Sequence, residues 1–152
     1  MRAKAALASA LWESGHYYPA IEHCREMLQL NPNDNQGIRY LLAGYYLELE
    51  MVDDLTLLLK DYSGDGGPCL QYARALLAFR KSSPNADIVA KAAISSNKHV
   101  PGLLAMRHLL PPVATGYTTV GEIDEATDYV NHNIKPWLRT AGAVAWIIQL
   151  TQ

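Results

Sequence analysis

Apolar residues recur at helical spacing in segment after segment of this chain, and no period-two alternation of useful length interrupts them. A chain patterned in this way buries its apolar stripes by packing helix on helix. The stretch GHYYPAIEHCREMLQLNPND, residues 15–34, shows the pattern in one place. Ile21, Cys24 and Leu28 fall at i, i+3 and i+7, Gly15 precedes the helix, and NPND stops it with turn-forming residues. Such a segment is a packing unit with no evident chemistry of its own.

The periodicity places helices at about 2–14, 17–30, 35–49, 52–62, 67–81, 84–97, 101–109, 121–138 and 140–150. Gly15 suits a left-handed residue after the first helix, and SGDGGP ends the fourth. Ser83 and Pro84 predict a capped start for the sixth, with proline in the first turn, where its missing N–H costs nothing. Thr119 with Glu122 three residues on resembles a capping box for the eighth. The long irregular connection LPPVATGYTTVG separates the first seven helices from the last two.

A length of 152 residues suits a single domain, long enough to fold without a metal or a disulfide. The net charge of -2, with no run of Lys and Arg, argues against nucleic acid as a partner. Cys24 and Cys69 each lie on an apolar helical face and read as small buried hydrophobes, which favours a reducing compartment and a cytoplasmic location. The greasiest segments, YLLAGYYLEL and AGAVAWIIQL, are too short to span a bilayer. MRAKAALASALW lacks the apolar core of a signal peptide and resembles the middle of an amphipathic helix, as expected of a piece of a longer protein.

Helices in pairs suggest an internal period. In the first unit Leu7, Ala8, Leu11, Gly15, Tyr17, Ala20, Cys24, Met27 and Pro32 stand where a tetratricopeptide repeat has its packing positions and its closing proline. The unit resembles that repeat, with Lys4 and Cys24 in place of aromatic residues. A second unit has Ile38, Leu41, Leu42 and Tyr45, then Leu55, Leu59 and Tyr62; Leu55 is large where a small residue is usual, and Glu50 replaces the turn glycine. A third has Tyr72, Ala73 and Leu76, then Ala86, Ala90 and Ala93. The resemblance implies an all-α, right-handed solenoid of antiparallel helix pairs in one domain, with units at about 1–34, 35–66 and 67–100 and a C-terminal helical cap over 101–152.

NKHVPGLLAMRHLLPP, followed by Glu125-Ala126, Tyr129, Trp137, Arg139 and Gly142-Ala143, resembles the C-terminal part of the suppressor of tumorigenicity 7 family over residues 94–146. That resemblance implies tetratricopeptide-like helices joined to this tail. It implies no defined molecular activity, and the membrane segments that animal members carry before their helices have no counterpart here.

Catalytic signals are weak. The histidines His16, His23, His99, His108 and His132 show no H-x-x-x-H spacing, and no C-x-x-C appears, so no metal ligands are assigned. SGDGGP lacks the lysine and the preceding strand of a phosphate loop and reads as a connector. Glu122, Asp124 and Glu125 lie in a first helical turn, where the macrodipole favours negative charge, and read as capping residues rather than an acid–base pair. Trp137 and Trp146 read as core anchors. No catalytic residue and no cofactor is expected.

What remains is a surface. By the repeat resemblance, Arg2, Ser9, Trp12 and Glu13, then Gln36, Arg39, Ala43 and Tyr46, then Arg74, face the concave side, off the packing stripe. Arginine beside aromatic residues suits a peptide with acidic and apolar groups. The expectation is a non-enzymatic scaffold that binds a protein or peptide, with self-association left open. The alternatives are a structural fragment whose groove is filled intramolecularly and, from another class, an enzyme or metal protein.

Overall fold

The structure, a computed structural model, describes residues 2–106 and 118–152. Every regular element among them is a helix: α1 (Arg2–Glu13), α2 (Tyr17–Leu30), α3 (Ile38–Glu48), α4 (Val52–Asp61), α5 (Pro68–Arg80), α6 (Ala86–Ser96), α7 (Val100–Met106), α8 (Ile123–Arg139) and α9 (Ala143–Gln149). The all-α class is therefore as expected. The described ends lie within about three residues of the predicted ones. The expected helical residues 107–109 and most of the long connection lie outside the described residues.

The chain leaves α1, α3 and α5 by the same turn. Gly15, Glu50 and Ser82 take left-handed φ values of 86°, 55° and 50°. Their N–H groups donate to Trp12, Leu47 and Phe79 carbonyls at 3.0, 3.4 and 3.0 Å. The next amides, His16, Met51 and Ser83, donate to Leu11, Tyr46 and Ala78 at 2.8, 2.9 and 3.0 Å. This paired bonding satisfies the last carbonyls of a helix, which otherwise have no donor. Glycine adopts the conformation freely, whereas Glu50 and Ser82 carry the steric cost of a Cβ, roughly 1–2 kcal/mol.

Counting back from each turn, Ala8, Ala43 and Ala75 occupy one equivalent position, and each is at most 1 % exposed. Beyond the turns, Ala20, Leu55 and Ala90 follow at intervals of 35 residues, and all three are buried. Where these positions are small, the helices come close: α1 packs tightly on α2 and α5 on α6. The second pair has the bulkier Leu55, and α3 and α4 do not approach each other so closely. Ala93 is buried as expected, while Ala86, at the first position of α6, is only half-buried.

The chain divides into two compact units, Met1–Leu58 and Leu59–Gln152. In the first, α2 packs on both α1 and α3 around Ala20, Ile21, Cys24, Met27, Leu42 and Leu47. Asp34 sets the start of α3. It is 4 % exposed, and its carboxylate accepts the Ile38 and Arg39 N–H groups, each at 2.8 Å, and the Arg39 guanidinium at 3.0 Å. One side chain thus satisfies two amides of the first turn that no helical carbonyl can reach.

In the second unit α5 packs on α6 and α8, while α7 packs on α8 and α9. Trp137 is fully buried and donates its indole N–H to the Tyr129 hydroxyl at 2.9 Å; both rings lie against Tyr72. Arg80 on α5 donates to Thr140 Oγ1 at 2.9 Å and to the Pro136 carbonyl at 3.2 Å, fixing the end of α8. Trp146 on α9 is half-buried against Phe79 and donates to Asp87 Oδ1 at 2.8 Å.

Two expected caps are built differently. Ser83 and Pro84 precede α6 without capping it: Asn85 is the N-cap, and the Ser83 hydroxyl bonds the Asn85 side chain at 2.6 Å. At α8 it is the acids inside the first turn that reach back. Asp124 Oδ2 accepts the Thr119 N–H and Glu125 Oε2 accepts the Gly121 N–H, each at 2.8 Å. Negative charge at that helix start is also favoured by the macrodipole.

Candidate functional site

The nine residues expected on a binding face divide into those open to solvent and those drawn into the fold. Arg2, Glu13 and Gln36 are exposed, and Ser9, Trp12, Arg39 and Arg74 are half-buried. Ala43 and Tyr46, at 1 % and 4 % exposure, belong to the core. This corrects the expectation for both. Ala43 stands at the small position shared with Ala8 and Ala75. Tyr46 provides the carbonyl that closes the α3 turn, and its hydroxyl accepts from Arg25 Nε at 2.9 Å. Arg25 in turn holds Glu22 at 2.6 Å and Asp54 at 2.7 Å.

Arg39 and Arg74 are engaged internally. Arg39 pairs with Asp34 and lies over the Tyr40 ring, with its guanidinium carbon 4.3 Å from the ring centroid. Arg74 donates to the Asp65, Tyr62 and Leu59 carbonyls at 3.1, 3.0 and 3.3 Å, closing the C-terminal end of α4. Partial burial disfavours the Arg74 charge, so its pKa is lowered. The expected set of free arginines beside aromatic residues does not form.

What the first unit does bring together is aromatic. Trp12, near the end of α1, stacks on Tyr45 of α3 with ring centroids 3.8 Å apart and planes 9° from parallel. It also meets Tyr17, the first residue of α2, at 4.6 Å. Tyr45 is buried, but Tyr17 and Tyr18 are 42 % and 68 % exposed. Burial pushes the Tyr45 phenol up to about 12, opposed by a hydrogen bond from Ser9 and reinforced by the nearby Cys24, Glu13 and Glu48. The ends of α1 and α3 and the start of α2 therefore share one surface. Sequence reasoning singled out Trp12, Ser9 and Glu13 there but missed Tyr17, Tyr18, Tyr45 and Glu48; the adjacent pair Tyr17-Tyr18 before Pro19 was the available signal.

Among the described residues no group of three or more His, Cys, Asp or Glu side chains is placed to hold a metal. His108 lies outside the described residues. His16 bonds the Ser14 hydroxyl at 3.0 Å, and His132 Nδ1 lies 2.8 Å from the Asp128 carbonyl. Cys24 is buried and Cys69 is half-buried, and neither forms a disulfide among the described residues. Among the described residues no helix is long and apolar enough to cross a membrane. No protein-family model, curated protein or solved structure matches the chain.

Proposed function

We propose that this chain is a tetratricopeptide-like array of antiparallel helix pairs, wound as a right-handed solenoid, that serves as a scaffold for a peptide or protein partner. The observation that carries the reading is the threefold turn. Helices α1, α3 and α5 end at Gly15, Glu50 and Ser82 with the same left-handed residue and the same two hydrogen bonds. Buried alanines stand at matching places before them. Repeated helix pairs of this kind build extended surfaces suited to partner binding. The reading is non-enzymatic, with a cytoplasmic setting.

Panning a displayed random-peptide library against the immobilised full chain tests it. Clones enriched over a helical-bundle control of unrelated sequence, with hydrogen-exchange protection mapped to surface residues, are expected. No enrichment overturns the reading.

A second reading, a structural module covered by a further helix, is favoured by Leu7. It is 47 % exposed, whereas Leu42, at the same distance before its own turn, is 2 % exposed. The face that is covered in α3 is open in α1.

A further inference from the structure

The charge left over in the first unit is negative, and two of its carboxylates, Glu13 and Glu48, act on the Tyr45 phenol beneath the Trp12 stack. Residues 1–58 contain four Lys and Arg against eight Asp and Glu. Lys4 pairs with Glu26, Arg25 with Glu22 and Asp54, and Arg39 with Asp34. Among the described residues, Glu13, Glu48, Glu50 and Asp53 form no ion pair. Glu13 adjoins Trp12, Glu48 closes α3 one turn beyond Tyr45, and both act on the same buried phenol. Arg2, the remaining cation, opens α1 roughly 15 Å from Trp12 along the helix axis.

We infer that this surface, made by Trp12, Tyr17 and Tyr18 with Glu13 and Glu48, docks a basic peptide segment. Its lysine or arginine groups meet the carboxylates, and its apolar or proline residues lie on the exposed rings. The inference rests on the scaffold reading and reverses the polarity expected from the sequence, because Arg39 and Arg74 are engaged inside the fold. Three kinds of physical complementarity meet here. Tyrosine and tryptophan provide contact area at low conformational cost and are enriched where proteins bind. A cation gains from an aromatic face as well as from a carboxylate. A field of one sign speeds encounter with the opposite charge and disfavours acidic partners.

Two synthetic peptides of identical apolar and proline content, one bearing lysines and the other glutamates at the same places, provide the test on the full chain. The readout is the indole N–H and amide resonances. The lysine peptide is expected to shift the Trp12 indole and the amides of residues 12–18 and 45–50, while the glutamate peptide leaves them in place. Joint Glu13→Gln and Glu48→Gln substitution should weaken the lysine peptide roughly ten-fold without changing the helical signal. Added salt should weaken it too, since Glu13 is exposed and Glu48 only half-buried. Equal shifts by the glutamate peptide, indifference to the double substitution, or shifts confined to other residues would overturn the assignment while leaving the scaffold reading intact. Dilution-dependent shifts of these resonances in the chain alone would assign the surface to a second copy and overturn it as well. Failure of both peptides, with no enrichment from the library, overturns surface and scaffold together.

Discussion

Asn97 Nδ2 donates to Glu125 Oε2 at 2.9 Å, and the same amide nitrogen also reaches the Glu122 carbonyl. Around this pair the second unit assembles its polar core. Asn97 is 1 % exposed; its side-chain oxygen accepts the His99 N–H at 3.0 Å, and its backbone carbonyl accepts the Tyr72 hydroxyl at 2.7 Å. One residue thus joins α5, the link between α6 and α7, and the start of α8. Asn97→Ala should lower stability by roughly 1–3 kcal/mol, because buried partners lose their bonds. Asn97→Asp should be worse, since it sets a second carboxylate against Glu125. Urea unfolding of the two variants checks both the size and the order.

The turns allow a comparison of opposite signs. Glu50→Gly removes a Cβ from a left-handed residue and should raise stability by roughly 0.5–1 kcal/mol; Gly15→Ala should lower it by a similar amount. Nothing lies within 4 Å of a Cβ added at Gly15, so that loss would be conformational rather than steric against neighbours. Urea midpoints that moved together would refute the shared turn.

Tyr46→Ala is expected to cost roughly 3–5 kcal/mol, as a buried aromatic does. It therefore cannot serve as a silent probe of binding. Tyr46→Phe, which removes only the acceptor for Arg25 Nε, should cost about 1 kcal/mol. Thermal melts would separate the packing contribution from the hydrogen bond.

Ala20→Leu should overpack the contact between α1 and α2 and cost roughly 1–3 kcal/mol, since Ala20 and Ala8 are both fully buried. A melting temperature equal to the parent's would show that the small position is not needed for close approach.

Stability should fall in alkali. Burial, reinforced by the Asp34 charge, pushes the Cys24 thiol up to about 12, and Tyr45 is held at about 12 mainly by burial. Both values exceed those of the unfolded chain, roughly 8.5 for a thiol and 10 for a phenol. The folded state then keeps protons that the unfolded state loses. The stabilisation is complete below the unfolded values and declines as pH rises toward the folded ones. Urea midpoints should decrease from about pH 8 to pH 11, and Cys24→Ala should flatten the early part of that slope.

The helices were legible because their signal is local: a 3.6-residue period needs only neighbours in sequence. Gly15 and the start of α5 at Gly67-Pro68 were legible for the same reason. The site was less so. On α3, Leu42, Ala43, Tyr45, Tyr46 and Leu47 are all buried, so no single stripe marks which aromatic faces outward. The 35-residue interval from Ala8 to Ala43 was the signal that could have corrected the register. Arg74 and Asn97 were beyond local reading. Apart from the local bond from His99 to Asn97, their partners lie 9 to 28 residues away, and nothing in the flanking sequence distinguishes an arginine that closes a helix end from one that meets solvent.

The stack of Trp12 on Tyr45 also has an optical consequence. Two nearly parallel rings with centroids 3.8 Å apart couple their electronic transitions, so this pair should dominate the near-ultraviolet circular dichroism of the first unit. Trp137 and Trp146 report from the second unit, each through an indole N–H held by an acceptor. The chain thus carries its own chromophores for following loss of packing at the α1–α3 contact separately from loss of packing around α8, with no label attached.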